Sequence, residues 1–279
     1  MSNLAYPPQR PLSVGEILDL SFRIYRATLL RCLLLATLGV LAGQLTNVYG
    51  LARGRGLQGF MQSIQGGAHD PVFWLAYLLA IVLSLVLYAA VLLRQRAVIG
   101  GNRGDGEVAA AVRRTPAMLA LLVLMVLTGA ACFVPVLLSS SMAGRAGLVL
   151  LLLIPLSYVL IALSCAFTVL LLEQAGPVAS YVRSWRLTYG SFWRLSLVYL
   201  VAVIVLLALT GVLGVVSAFI AGLFGHGDVV LVAATAGVII IAISALTTPF
   251  YTAVALAVYG DLVARKEGTD LEQRISATA

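Results

Sequence analysis

Two histidine–aspartate pairs, His69-Asp70 and His226-Gly227-Asp228, are the residues of this chain best suited to chemistry. An imidazole beside a carboxylate can hold zinc or pass a proton. Both pairs fall between long apolar runs, and they would meet if the first and third helical hairpins were neighbours. Local pattern favours a plainer use. Gly66-Gly67 and Gly225-His226-Gly227 are turn sequences, and Asp70 and Asp228 stand where the next helices need N-caps. The three cysteines, Cys32, Cys132 and Cys165, form no Cys-x-x-Cys pair and read as small buried thiols. No paired carboxylates, Ser-His-Asp set or metal-ligand cluster lies inside the apolar runs, so no enzyme activity, cofactor or metal is expected.

Six apolar runs must position everything else: Cys32–Tyr49, Pro71–Leu93, Pro116–Met142, Ala146–Leu172, Leu195–Gly225 and Val229–Gly260. None contains Asp, Glu, Lys, Arg or His. A run of about 20 apolar residues spans a bilayer as helix, because only a helix satisfies its own backbone in hydrocarbon. The 279-residue chain is 61% hydrophobic and 10% charged, against roughly 25% charged in soluble domains. The expected fold is therefore all-α: a polytopic membrane protein of six transmembrane helices, with residues 1–279 as one transmembrane domain. Met1–Arg10 lacks the apolar core of a signal peptide, so the first span is expected to be retained.

The basic residues are unevenly placed. Fifteen of 18 lie before the first run, between the second and third, between the fourth and fifth, or after the sixth; only Arg53, Arg55 and Arg145 lie in the other loops. Loops rich in Lys and Arg stay in the cytoplasm, which puts both termini there. The net charge of +7 forms no basic domain or aromatic-interleaved patch, so nucleic acid is not an expected partner.

Amphipathic segments precede the odd-numbered spans. In the first, Ser13 and Glu16 have capping-box spacing. Val14, Ile17, Leu18, Ser21, Ile24, Tyr25 and Leu29 share one helical face, with Arg23 and Arg26 opposite and Asp19 placed to pair with Arg23. The third opens at Gly176-Pro177 and sets Val178, Tyr181, Val182 and Trp185 against Arg183 and Arg186. The middle one, Asp105 to Thr115, ends in Arg113-Arg114. The spacing predicts in-plane elbow helices at 13–29 and 177–188, arginines toward phosphates, in three elbow-plus-hairpin repeats over about 12–93, 104–172 and 175–262. Arg23, Arg26, Arg113, Arg114, Arg183, Trp185 and Arg186 are the expected lipid or partner contacts.

Polar groups inside the runs are mainly hydroxyls, which usually bond within their own helix or to a neighbour. Thr247-Thr248-Pro249-Phe250-Tyr251-Thr252 differs, because Pro249 frees the carbonyl four residues earlier and kinks the helix. Transporters place substrate sites at such breaks, although hydroxyl relief of a packing kink explains the pattern as well. Pro135 and Pro155 mark milder breaks, and Gly39-x-x-x-Gly43 allows close helix approach. Asp261, at the end of the sixth run, needs a partner; Arg23 or Arg186 is expected to supply it in a structural ion pair.

The opening Arg10-Pro11-Leu12-Ser13-Val14-Gly15-Glu16-Ile17-Leu18-Asp19 with Phe22-Arg23-Ile24-Tyr25-Arg26 resembles a known family. So do Gly176-Pro177, Ser184-Trp185-Arg186-Leu187-Thr188, Phe192-Trp193, Tyr259-Gly260-Asp261-Leu262, Arg265-Lys266-Glu267-Gly268 and Asp270-Leu271-Glu272. The family is the six-helix membrane domain fused to some bacterial glycerophosphodiester phosphodiesterases. The resemblance runs end to end and implies a fold and a bacterial inner-membrane location. It implies no activity, since the fused enzymes hydrolyse their substrates in a separate soluble barrel whose histidine pair and carboxylates this sequence does not show. The reading expected is a non-enzymatic inner-membrane module that binds lipid, another membrane protein or a second copy of itself. The alternative is a permease for a small or amphiphilic solute. Against it, coupled carriers keep an ionisable residue in the membrane, and the runs hold none.

Overall fold

The structure, a computed structural model, describes residues 6–8, 10–52, 70–102, 106–138, 141–224 and 229–278. Among these the regular elements are all helices. Helices α1 (Val14–Gly43) and α2 (Leu45–Ala52) make the first span, α3 (Pro71–Ile99) the second and α4 (Glu107–Leu138) the third. The fourth is α5 (Met142–Ala162) with α6 (Ala166–Leu172). A short α7 (Pro177–Thr188) leads to α8 (Phe192–Phe224) and α9 (Val229–Thr278), the fifth and sixth spans. Six stretches are long and apolar enough to cross a membrane. Leu30, Leu34, Leu75, Ile154, Val215 and Phe219 are exposed along them, as lipid-facing side chains are. The fold is all-α, and the chain is a multi-pass membrane protein.

The helices divide into two compact units. One contains residues 1–23, 116–202 and 254–279; the other contains 24–115 and 203–253.

Only one of the expected elbows is a separate helix. α7 starts at Pro177, whose missing N–H is harmless in a first turn, and stops at Tyr189 before Gly190, which has φ of +80°. The segment 13–29 instead belongs to α1, which runs unbroken from Val14 to Gly43. Ile17, Ser21, Ile24, Thr28, Cys32 and Leu35 are all buried and follow one another at three- or four-residue steps. One stripe thus joins the amphipathic segment to the span, and no Pro or Gly interrupts it before Gly39. The middle segment likewise merges into α4, with Pro116 inside the helix.

The fourth span breaks where sequence predicts continuity. At Leu163–Cys165 the α pattern gives way to tighter bonds, Ser164 N–H to the Ile161 carbonyl (3.2 Å) and Ala166 N–H to the Leu163 carbonyl (3.0 Å). Ala166 would otherwise donate to the Ala162 carbonyl, which is left for another partner. α9 is unbroken across Pro249 and continues past Gly260 to Thr278. From Thr252 to Val258 every residue is buried, so this stretch is enclosed on all sides.

Candidate functional site

Three constellations concentrate the polar groups, two in the first unit and one in the second. Asp261 is the centre of the first. It is fully buried, and its Oδ1 accepts from the Leu12 N–H at 2.7 Å while its Oδ2 accepts from Arg194 Nη2 at 2.5 Å. Arg265, one turn further along α9, donates Nε to both carboxylate oxygens at 3.2 Å. Both arginines also donate to the Leu12 carbonyl, at 3.1 Å and 2.5 Å. The chain before α1 is thereby fastened across the end of the sixth span. Tyr6 reinforces it, donating to the Leu256 carbonyl at 3.0 Å, and a Cβ at Gly260 would meet Pro8 and the Tyr6 ring at 3.0 Å. Asp261 does have arginine partners, but they are Arg194 and Arg265 rather than Arg23 or Arg186. Arg23 pairs with Asp19 at 2.7 Å, as spacing predicts, and Arg186 is exposed.

The second constellation holds α7. Arg183 Nε donates to both oxygens of Glu173 (3.1 and 3.0 Å) and its Nη2 to Glu267. The Glu267 hydrogen bond, with Glu173 adding, raises the Arg183 pKa further above its ordinary range, so this guanidinium stays charged. Tyr259 donates to Glu173 at 2.9 Å, and Lys266 to the Tyr189 carbonyl at 3.2 Å. Deeper in, Ser184 and Thr188 donate to the Ala162 carbonyl at 2.7 and 3.3 Å. These two hydroxyls occupy the acceptor exposed by the break between α5 and α6, so helix and break fit each other. The Trp185 ring meets Tyr158 edge-on at 5.6 Å. Of the expected contact residues, Arg26, Arg113 and Arg186 are exposed, Arg114 and Trp185 are half-buried, and Arg183 is engaged in the network just described.

The third constellation lies in the second unit. Thr247 and Thr248 each donate to the Ser244 carbonyl at 3.0 Å, and Thr252 donates to those of Thr248 (3.2 Å) and Pro249 (3.1 Å). Hydroxyls thus bond back into their own helix around the proline, and Tyr251 faces outward with its ring 6.5 Å from that of Tyr88. Gln95 is fully buried; its Nε2 donates to the Pro249 carbonyl (2.8 Å) and to Thr28 (3.2 Å), while its Oε1 has no partner. Sequence reasoning misses this residue because Arg94 and Arg96 flank it and mark a loop. The signal is its place one helical turn after Val91 and Leu92, on the face that buries both. In a membrane such bonds contribute about 0.6 kcal/mol each, and an unpartnered buried oxygen costs about 1–3 kcal/mol. Gln95→Met is therefore expected to change detergent-state unfolding stability by less than about 1 kcal/mol or to raise it. A loss above about 2 kcal/mol would show that the oxygen has a partner in solution.

Beside this point lies a half-open apolar groove of about 250 Å³, lined in part by Leu35, Gly39, Ser84, Leu87, Tyr88 and Thr248. Gly39 lets the first two spans approach, since a Cβ there would stand 3.3 Å from that of Leu87.

Asp70 caps α3, accepting from the Val72 N–H at 3.1 Å and from the Tyr49 hydroxyl at 2.5 Å. His69, His226 and Asp228 lie outside the described residues. Among the described residues no group of three or more His, Cys, Asp or Glu could hold a metal ion. No family model matches the chain, and neither a curated protein nor a solved structure matches it.

Proposed function

We propose that this is a non-enzymatic multi-pass protein of a bacterial inner membrane, whose spans and arginine-rich end bind lipid or a partner protein. One observation carries the reading. Among the described residues the fully buried carboxylate, Asp261, is consumed by two arginines and a backbone N–H, while Arg26, Arg113 and Arg186 remain exposed beside the spans. Charge here fastens helices and faces headgroups, and the apolar runs offer none for bond-making or ion coupling. The resemblance at Arg10–Asp19, Ser184–Thr188 and Tyr259–Leu262 supports a relative of the six-helix membrane domain. The arginine bias supports a cytoplasmic position for both termini. The meeting of Leu12, Arg194, Asp261 and Arg265 agrees with the first and last segments sharing one side.

A permease has one point in its favour, the Gln95 amide set against the Pro249 carbonyl among the spans. The experiment that separates the readings is thermal unfolding of the detergent-purified protein as phospholipid is added, run beside uptake assays on sealed proteoliposomes. The expected result is a midpoint several degrees higher with anionic than with zwitterionic lipid, on the order of 1 kcal/mol per arginine engaged, and no solute flux. Lipid-independent midpoints together with flux of an amphiphilic solute would replace the proposal with the permease.

A further inference from the structure

We propose that one surface carries the lipid-binding reading, on which this inference rests: the outward face of α7 and the turn into α8. It lies at the boundary between headgroups and acyl chains of one leaflet. Val178, Val182, Tyr189 and Trp193 meet the chains there, and Arg186 meets the phosphate of a phospholipid with net negative charge.

For a helix in water, α7 is turned inside out. Ser180, Ser184 and Thr188 follow one another at four-residue steps and are all buried, with Leu187 beside them. Ser184 and Thr188 donate to the Ala162 carbonyl. Val178 and Val182 face outward, Val178 with 66% of its surface exposed. A water-facing helix shows the opposite order, hydroxyls outward and valines inward. Hydrocarbon at the outer face accounts for both stripes. The face is not the one that periodicity selects: the Tyr181 hydroxyl lies 3.1 Å from that of Thr128, and the Trp185 ring packs on Tyr158.

The surface runs into the exposed stripe of the fifth span. Trp193 is 83% exposed, and Leu197 and Leu200 are exposed after it at steps of four and three residues on α8. Tyr189 is exposed four residues before Trp193, so at most about 14 Å of chain separates them. Tyr and Trp favour the membrane boundary, with the ring in the hydrocarbon edge and the polar atom among headgroups. α7 then lies along the surface. Val178 stands eleven residues before Tyr189, a helical rise of about 16 Å. Each headgroup layer is roughly 5–8 Å deep, so an upright α7 would leave its valines in water. Arg186 belongs to the same stripe, four residues after Val182 and three before Tyr189, and is exposed. Its long stem lets the guanidinium reach phosphates from among apolar neighbours. Residues 177–193 hold no Asp or Glu, and Arg183 on the flank is held by Glu173 and Glu267. The outward face offers one guanidinium and no carboxylate, the complement of an anionic lipid.

The test is tryptophan quenching in vesicles of equal parts anionic and zwitterionic phospholipid, with bromine near the top of the acyl chains of one lipid or the other. Each variant keeps a single tryptophan, the rest being replaced by phenylalanine: native Trp193, native Trp185, Val182→Trp or Leu197→Trp. An unaltered circular dichroism melt establishes that each folds, and Val178→Trp replaces Val182→Trp if that one does not. Brominated lipid should quench Trp193 and Val182→Trp at least threefold more than Trp185, and aqueous iodide should barely reach Val182→Trp. Bromine on the anionic lipid should quench Val182→Trp at least twice as strongly as bromine on the zwitterionic one, a ratio that Arg186→Gln brings to one. Quenching of Val182→Trp by iodide and not by lipid would put the face in water and overturn the proposal. Shielding from both would put protein there and overturn it as well, as would a ratio that Arg186→Gln leaves unchanged. In each of these cases Leu197→Trp quenched by lipid leaves the broader reading standing. If lipid fails to quench Leu197→Trp too, the broader reading falls with the proposal.

Discussion

Asp261→Ala is expected to destabilise the detergent-solubilised protein by about 3–5 kcal/mol, the usual cost of removing one member of a buried ion pair. The carboxylate is fully buried and satisfies three donors at once: the Leu12 N–H, Arg194 and Arg265. Its loss strands two guanidinium groups, of which Arg194 is 22% exposed, and releases the segment before α1 from the end of the sixth span. Asp261→Asn keeps an acceptor for the Leu12 N–H and should lose about 1–3 kcal/mol. In a double-mutant cycle Asp261→Ala and Arg194→Ala should couple by more than about 1 kcal/mol, whereas Asp261→Ala and Arg186→Ala should be additive. An Asp261→Ala protein within about 0.5 kcal/mol of the parent, measured by reversible unfolding in detergent, would contradict the lock.

The second large effect is expected at the α7 seat. Ser184→Ala with Thr188→Val removes both hydroxyls from the Ala162 carbonyl, which the Leu163–Cys165 break has left without its helical donor. Ala162, Ser184 and Thr188 are all buried, so water cannot replace the lost bonds. The pair should lose about 1–3 kcal/mol, and Ser184→Ala alone about half of it, because Thr188 can still donate. Hydrogen exchange gives a second readout: amides at the end of α5 should exchange faster in the double variant. Unchanged exchange there would mean that the break is satisfied in another way.

The six spans were legible because hydrocarbon leaves the backbone no alternative to helix, and each apolar run declares one. The need of Asp261 for a partner was legible too, from a carboxylate placed where a span ends. Which arginine answers was not. Arg194 stands beyond Gly190, whose φ of +80° turns the chain between α7 and α8, and that turn decides which residue reaches Asp261. The separate helix at 177–188 announced itself through Gly176-Pro177, which opens it. The segment at 13–29 has the same amphipathic pattern but no stop signal, and its buried stripe passes directly from Ile24 through Thr28 to Cys32. Local periodicity cannot tell a helix lying on a membrane from the first turns of a helix entering it. The break at Leu163–Cys165 contains neither Pro nor Gly; there the Ser164 hydroxyl bonds back to the Ile161 carbonyl at 2.8 Å, and two hydroxyls of α7 take up the Ala162 carbonyl.

Everything assigned to the arginine-rich end depends on that end facing the cytoplasm. Reporter fusions placed after Phe60 and after the C-terminus measure this directly, using a pair of reporters active on opposite sides of the membrane. With the six spans described, the fusion after Phe60 should report the external compartment and the C-terminal fusion the cytoplasm. The same compartment for both would contradict the six-span path, and an inverted result would place the arginines, the Asp261 lock and α7 on the wrong face.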